Sequence, residues 1–208
     1  MKTLEAIKKV KEQSKERKFK QTWDISIGLK GLDLRKPENR LNTEFVLPEG
    51  RGKEQKVVVI ADSIAKEAEN HADKVVTKEE LESIISDKKK IKKLADSYDR
   101  FLCEASLMAQ VGKHLGAILG PRGKVPKPMP PRANPEPFIK MAKRTIRISL
   151  RDNPVIHISV GTEDMEDEKV VKNIDAVLNF IKEKLPKGQT NIKSAYLKLT
   201  MSKPVRLE

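Results

Sequence analysis

The sequence predicts an α/β protein in which one domain is inserted into another. Both ends of the 208-residue chain hold strands that alternate apolar and polar residues, accompanied by amphipathic helices, as in a sheet with one wet face. The middle holds the unbroken β-branched run Val57-Val58-Val59-Ile60, the mark of a strand buried on both sides, and strands there alternate with helices. Between the two textures the chain is punctuated by Pro48-Glu49-Gly50-Arg51-Gly52-Lys53. Residues 1–51 and 145–208 are therefore expected to form one discontinuous outer domain around an inserted domain, 52–144. Gly50, Gly52, Lys143 and Arg144 are the expected paired hinges.

Leu4, Ile7, Val10, Lys11 and Ser14 mark one side of a short helix. Trp23, Ile25, Ile27 and Leu29 alternate with Asp24, Ser26 and Gly28, a half-buried strand in which Trp23 belongs to the core. A second strand is expected from Thr43 to Leu47. In the middle, Val57–Ile60 is followed by a helix from Ser63 to Glu69, then Val75-Val76. One helical stretch is expected from Lys78 to Leu94, then a strand from Arg100 to Ala105. Ser106 is the candidate N-cap of a helix reaching Leu119. After a proline-rich loop come a helix over Glu136–Lys143, a strand over Thr145–Leu150 and a turn at Asp152-Asn153-Pro154. Val155–Val160 makes the returning strand. Val170, Val171, Ile174, Val177, Leu178, Ile181 and Leu185 form a helical stripe stopped by Pro186 and Gly188, and a last strand covers Ala195–Thr200.

The net charge of +13 favours a polyanionic partner, nucleic acid ahead of an anionic membrane surface. Its distribution is uneven. Residues 113–151 hold 10 basic and 1 acidic side chains and residues 1–53 hold 14 and 8, whereas 54–112 and 152–208 are close to balance. The run Lys88-Lys89-Lys90 with Lys92-Lys93 reads as a solvated helix face. No apolar run approaches the ~20 residues that span a bilayer. The start, Met1 to Glu5, leads into a charged helix with no signal-peptide core, so a cytosolic address is expected.

No catalytic set emerges. Cys103, the only cysteine, lies in an apolar run and reads as core. His71, His114 and His157 show no metal-ligand spacing, and His157 reads as structural. Glu79-Glu80 and Asp167-Glu168 read as solvated surface. No metal and no cofactor are expected.

Gly120 to Arg132 packs prolines, glycines and cations into one loop. Fixed φ at the prolines and close backbone approach at the glycines suit a shaped array of phosphates, while a stiff surface connector would have the same composition. A nucleotide phosphate loop does not fit: Ile118 stands where its first glycine is required and Val125 where Ser or Thr is required. No glycine fingerprint follows Val57–Ile60, which weakens the reading of the inserted domain as a nucleotide-binding enzyme. A general DNA-compacting protein is a third reading.

Leu119 to Pro130 resembles the signature of the universal large-subunit ribosomal protein family of the lateral stalk, ribosomal protein L-one, and Pro126-Lys127-Pro128 resembles its archaeal form. The resemblance runs through Lys18-Phe19-Lys20-Gln21-Thr22, Arg35 to Arg40, Val46 to Lys53 and Tyr196 to Met201. It implies a split βαβ outer domain that meets ribosomal RNA and an inserted three-layer α/β domain. It also implies a structural, non-enzymatic role beside the exit site for deacylated tRNA, and repression of translation from the protein's own messenger. A monomer is expected when free.

By motif, Lys18, Phe19, Lys20, Thr22, Ser194, Thr200 and Met201 are implied on the RNA surface, although by residue type alone Phe19 reads as core. Ser202 joins them as a departure, since the family commonly has glycine there. Arg122, Lys124 and Lys127 are expected to make a secondary RNA contact or an interdomain one.

Overall fold

A computed structural model of the chain describes residues 3–131 and 133–207, so Met1, Lys2, Glu208 and the Arg132 end of the basic loop lie outside the described residues. The chain divides into two compact units, Met1–Lys53 with Arg144–Glu208, and Glu54–Lys143.

The outer unit begins with α1 (Thr3–Gln13), which buries Ala6, Ile7 and Val10. In β1 (Thr22–Leu29) burial alternates residue by residue, and β2 (Leu41–Val46) follows. The inner unit then runs β3 (Val57–Ile60), α2 (Ala65–Glu69), β4 (Lys74–Val76), α3 (Lys78–Ile85), α4 (Lys88–Ser97), β5 (Arg100–Glu104), α5 (Met108–Leu119), β6 (Lys127–Met129) and α6 (Pro135–Arg144). The chain returns to the outer unit with β7 (Thr145–Leu150), β8 (Val155–Thr162), α7 (Asp167–Lys184), β9 (Ile192–Leu199) and β10 (Val205–Arg206).

Several boundaries differ from the sequence expectation, each for a local reason. The stretch from Lys78 splits into α3 and α4 because Asp87 adopts extended backbone angles and its carboxylate accepts from Lys89 N–H at 2.8 Å, starting a new helix. Ser106 is not the cap of α5: its hydroxyl donates to Glu104 at 3.0 Å, and a 3₁₀ turn over Ala105–Leu107 precedes Met108. The proline-rich loop contains β6, an edge strand parallel to β5, where Pro128 is tolerated because one side of an edge needs no donor. Val155–Thr162 does not pair with β7; β7 pairs with β2, and β8 with β1.

In the outer unit the main sheet has the order β10-β9-β1-β8. Both β8 and β9 run antiparallel to β1, so they are parallel to each other, joined by α7 and separated by β1. This is a split βαβ arrangement. Trp23, Ile25 and Ile27 from β1 pack with Ile7 and Val10 of α1 and with Val170, Ile174, Val177 and Ile181 of α7 in one core. Both helices therefore serve the same face of the sheet, and the opposite face keeps its polar side chains.

The crossing out of this unit is held by a buried amide. Asn173 on α7 accepts from Glu49 N–H at 3.1 Å and donates to the carbonyls of Gly50 at 2.8 Å and Val160 at 2.9 Å. Val160 is the extra residue of a β-bulge: Trp23 faces Gly161 and Asp24 faces Ser159. Leu47 N–H donates to Arg144 O at 3.0 Å, prolonging the β2–β7 ladder. Gly50 and Gly52 have φ of 72° and 74°, a region that costs an L residue roughly 1 kcal/mol or more. A Cβ at Gly50 would meet Arg144 Cγ at an ordinary 3.6 Å, whereas at Gly52 it would overlap the Thr162 hydroxyl and lie 2.8 Å from the Met165 sulfur. Gly50→Ala is thus expected to destabilise the outer unit by about 1 kcal/mol and Gly52→Ala by about 2 or more. Urea unfolding followed by the single tryptophan, Trp23, reads this difference; equal losses would refute the packing argument.

In the inner unit β4-β3-β5-β6 form an all-parallel sheet. Val58, Ile60, Phe101 and Cys103 pack with residues of α3, α4 and α5. On the other face, Val57, Val59, Leu102 and Met129 pack with Ala68 of α2 and with Ile139 and Ala142 of α6. The three layers explain why β3 reads as an unbroken apolar run. Burial, with Glu104 adding to it, pushes the Cys103 thiol up to about 12, so this residue is inert core.

Open α/β sheets take ligands beyond the carboxyl ends of their strands. Here Glu104, at the end of β5, fills that place. Its carboxylate accepts from Asp62 N–H at 2.9 Å, Ser63 N–H at 3.1 Å and the hydroxyls of Ser63 and Ser106. Burial alone would raise its pKa, but these donors outweigh it and hold the group below the ordinary carboxylate range.

Candidate nucleic-acid interface

Period-two alternation decides which side chains the open face of the outer sheet presents. On β1 these are Thr22, Asp24, Ser26 and Gly28. Across the ladders Asp24 faces Ser159 and Lys198, Ser26 faces His157 and Tyr196, and Gly28 faces Ser194.

Thr22 and Thr200 close one end of this face. Thr22 N–H donates to Thr200 Oγ1 at 3.0 Å, and the two hydroxyls share a hydrogen bond of 3.0 Å. Beneath them Gln21, only 2% exposed, ties four segments together. Its amide donates to Ser14 Oγ at 3.2 Å and to the Glu163 carboxylate at 3.3 Å, and its side-chain oxygen accepts from Met201 N–H at 3.1 Å. Its backbone carbonyl accepts from Glu163 N–H at 3.0 Å. The ends of α1, β8 and β9 are thereby fastened to the start of β1.

The basic entry to β1 surrounds this knot. Lys18, Phe19 and Lys20 are all exposed, Phe19 at 50%, which is unusual for a phenyl ring with core available to it. Lys20 pairs with Asp164 at 2.6 Å. Met201 is 59% exposed at the tip of the turn after β9. Ser202 closes that turn: its N–H donates to Leu199 O at 3.0 Å, and its hydroxyl accepts from Leu199 N–H at 2.8 Å. A glycine could make only the first of these bonds.

Six of the eight implied positions, Lys18 to Lys20, Thr22, Thr200 and Met201, thus cluster at one end of the sheet, with Ser202 holding their turn. Ser194 does not join them. It shares their face but lies six residues along β9, about 20 Å away. A Cβ on Gly28 would come within 3.1 Å of its hydroxyl, so Gly28 leaves that hydroxyl room.

The face between the two ends is mixed in sign. Burial raises the Asp24 pKa above the ordinary range, while Lys198, the Thr22 hydroxyl, Arg51 and His157 pull it back. His157, expected to be structural, is exposed, and its Nδ1 lies 2.7 Å from Ser26 Oγ. Its neighbours Ile156 and Ile158 made the strand look apolar, yet the pleat turns them inward and His157 outward. Arg51 donates to Ser159 Oγ at 3.2 Å, adding a cation from the linker.

In the inner unit Arg122 and Lys124 of the proline-rich loop have intramolecular partners. Lys124 donates to the carbonyls of Ala95 at 2.8 Å and Tyr98 at 2.7 Å, satisfying the end of α4. Arg122 pairs with Asp96 on the same helix and bonds to Lys92 O. Lys127 lies on β6. Among the described residues no His/Cys/Asp/Glu group could hold a metal, and no helix is long and apolar enough to cross a membrane.

The sequence profile of the ribosomal protein L1p/L10e family matches residues 8–203. The chain belongs to that family. It is 48% identical to the large ribosomal subunit protein uL1 of Methanothermobacter thermautotrophicus over 206 residues, 98% of this chain and 97% of that protein. It is 47% identical to uL1 of Thermococcus kodakarensis, covering 100% of this chain and 97% of the other. Against uL1 of Methanocaldococcus jannaschii it is 46% identical, covering 99% and 94%. These archaeal relatives agree with the archaeal character read from Pro126 to Pro128.

L1p/L10e membership agrees with the resemblance and spans residues 8–203. It does not pick out Gln21, Asp24, His157 or Lys198, which sequence reasoning left outside the interface. The alternation of β1 offers a signal for Asp24, and that of β9 for Lys198. Gln21 lies inside the Lys18–Thr22 motif, yet nothing local marks its burial; its partners lie at residues 14, 163 and 201.

Proposed function

We propose that this chain is a structural, non-enzymatic component of the large ribosomal subunit and binds the ribosomal RNA of the lateral stalk through the open face of its outer sheet. The observation that carries the reading is the cluster of exposed Phe19 and Met201 around the bonded Thr22–Thr200 pair. Two hydroxyls in a shallow setting suit the 2′-hydroxyls of an RNA minor groove, and an exposed phenyl ring suits a ribose or base face. The mixed charge of the face, with Asp24 opposite Lys198, supports recognition of one folded RNA over plain attraction to phosphate. Lys18 and Lys20 would supply phosphate contacts, and Ser194 a distant one along the same strand.

In this reading the chain works on the ribosome near exit-site tRNA and assists release of the deacylated molecule. It also represses its own messenger through a similar RNA fold, and it is monomeric when free. Gly50, Gly52, Lys143 and Arg144 act as the pivots between the units. Arg122, Lys124 and Lys127 make at most a secondary contact.

The test is a competition at fixed salt among stalk ribosomal RNA, messenger leader RNA and random duplex. The first two are expected to displace each other and to outcompete the duplex, with affinity falling steeply as salt rises, about −0.9 in log–log slope per duplex phosphate neutralised. Equal binding of random duplex would defeat the proposal.

A further inference from the structure

The inner unit carries a concentration of positive charge that the outer sheet does not use. On α4, Lys88, Lys89, Lys90, Lys92 and Lys93 are all exposed, while Ile91, Leu94 and Ala95 face the core. Beside this helix lies a cavity of about 330 Å³. Its lining combines an apolar part, or floor, of Ile84, Leu94 and Tyr98 with Lys74, Lys90, Lys93 and Ser97. Among the described residues no carboxylate lines it, although α3 carries Glu79, Glu80 and Glu82.

We propose that this cavity binds an unpaired strand of RNA, taking one base against Tyr98 and its flanking phosphates on Lys90 and Lys93. Three lysines in a lining that is otherwise largely apolar disfavour a purely apolar ligand, which would strip water from charges and leave them unpaired. A free phosphate would leave the floor empty. A nucleotide joins an anion to a flat apolar body, and a lysine-lined groove with an aromatic platform is how single strands are held without sequence choice. All these cations are lysines, point charges that serve phosphates without the bidentate fork by which arginine grips carboxylate. Lys89 and Lys92 continue the row along the helix, where residues three or four apart lie ~5–6 Å from each other.

Preorganisation supports the assignment. Tyr98 N–H donates to Leu94 O at 3.3 Å and its carbonyl accepts from Lys124 at 2.7 Å, so the backbone that carries the ring is pinned on both sides. Ser97 Oγ donates to Lys93 O at 2.9 Å, which leaves its lone pairs for a base or ribose donor. Among the described residues Lys90 bonds to Ser83 Oγ, at 3.3 Å, a contact a phosphate can replace. A duplex offers no unstacked base to the floor, so the strand must be unpaired.

The test is fluorescence anisotropy of a labelled octauridylate RNA with the full chain, in wild type and in Lys90→Gln/Lys93→Gln. About tenfold weaker binding is expected, with the salt slope reduced by about 1.4, two phosphates at ~0.7 each. The same loss is expected in a Thr200→Val background, which separates this site from the outer sheet. Tyr98→Phe is expected to retain binding and Tyr98→Leu to lose about fivefold. Protection of Cys103 from alkylation checks that each variant keeps its inner core. The proposal is overturned by unchanged affinity in Lys90→Gln/Lys93→Gln or by equal binding of an octamer duplex. Displacement of the RNA by a glutamate-rich peptide carrying one phenylalanine would overturn it too, marking a peptide site.

Discussion

Replacing Asn173 with leucine is expected to destabilise the outer unit by about 4 kcal/mol, more than any surface change. Leucine matches the side chain in size but neither donates nor accepts. Glu49 N–H and the carbonyls of Gly50 and Val160 would lose their partner, and Gly50 and Val160 are buried. Each orphan costs roughly 1–3 kcal/mol. The sheet cannot absorb the Val160 carbonyl, because the bulge takes that residue out of the β1 ladder. Asn173→Asp should be at least as harmful at neutral pH, since a carboxylate would face two carbonyl oxygens, and should recover in part as acid restores a donor. Urea unfolding monitored by Trp23 fluorescence, with Trp23 wholly inside the outer core, measures both. A loss below about 1 kcal/mol for the leucine variant would show that water or a backbone shift replaces the amide.

Thr200→Val should lower affinity for stalk RNA by roughly 30- to 100-fold, about 2–2.7 kcal/mol. Valine keeps the shape of threonine, so the effect isolates the hydroxyl. In the free protein that hydroxyl accepts from Thr22 N–H and pairs with Thr22 Oγ1. Stability should fall by only about 1 kcal/mol, because the pair is partly open to water. Phe19→Ala should also weaken binding strongly, since half of the ring already faces solvent and its removal costs little packing. Arg122→Ala with Lys124→Ala should cost about threefold or less in affinity, because both cations are engaged by α4. Filter binding or calorimetry on the three proteins gives the ranking. A double loop variant that binds worse than Thr200→Val would move the principal RNA contact to the inner unit.

The knot around Gln21 and the clamp around Asn173 share a property that hides them from sequence reading. Each is a single buried amide with a near partner, Ser14 or Val160, and two more than 100 residues away, and nothing in its surrounding motif or stripe marks it as buried. A lone Gln beside lysines and a lone Asn within an apolar stripe carry no local sign of burial. His157 shows a different limit. Its isoleucine neighbours give it an apolar context, but only pairing with β1 establishes which residues of β8 turn outward.

By itself the sequence determined what repeats or interrupts locally: the alternation of β1, the double burial of β3, the helical stripe of α7 and the glycine punctuation near residue 50. Those patterns, with motifs spread from Lys18 to Met201, were enough for the α/β class and the family, and for expecting an inserted domain. The tertiary structure alone decided the break between α3 and α4, the strand inside the proline-rich loop, and the pairing of β8 with β1. It also joined Thr22 to Thr200 across 178 residues and left Ser194 about 20 Å along the same face. The physical reason is that hydrophobic period and turn chemistry act over a few residues. Strand pairing and buried hydrogen bonds are chosen by which distant partners satisfy every donor and acceptor at once.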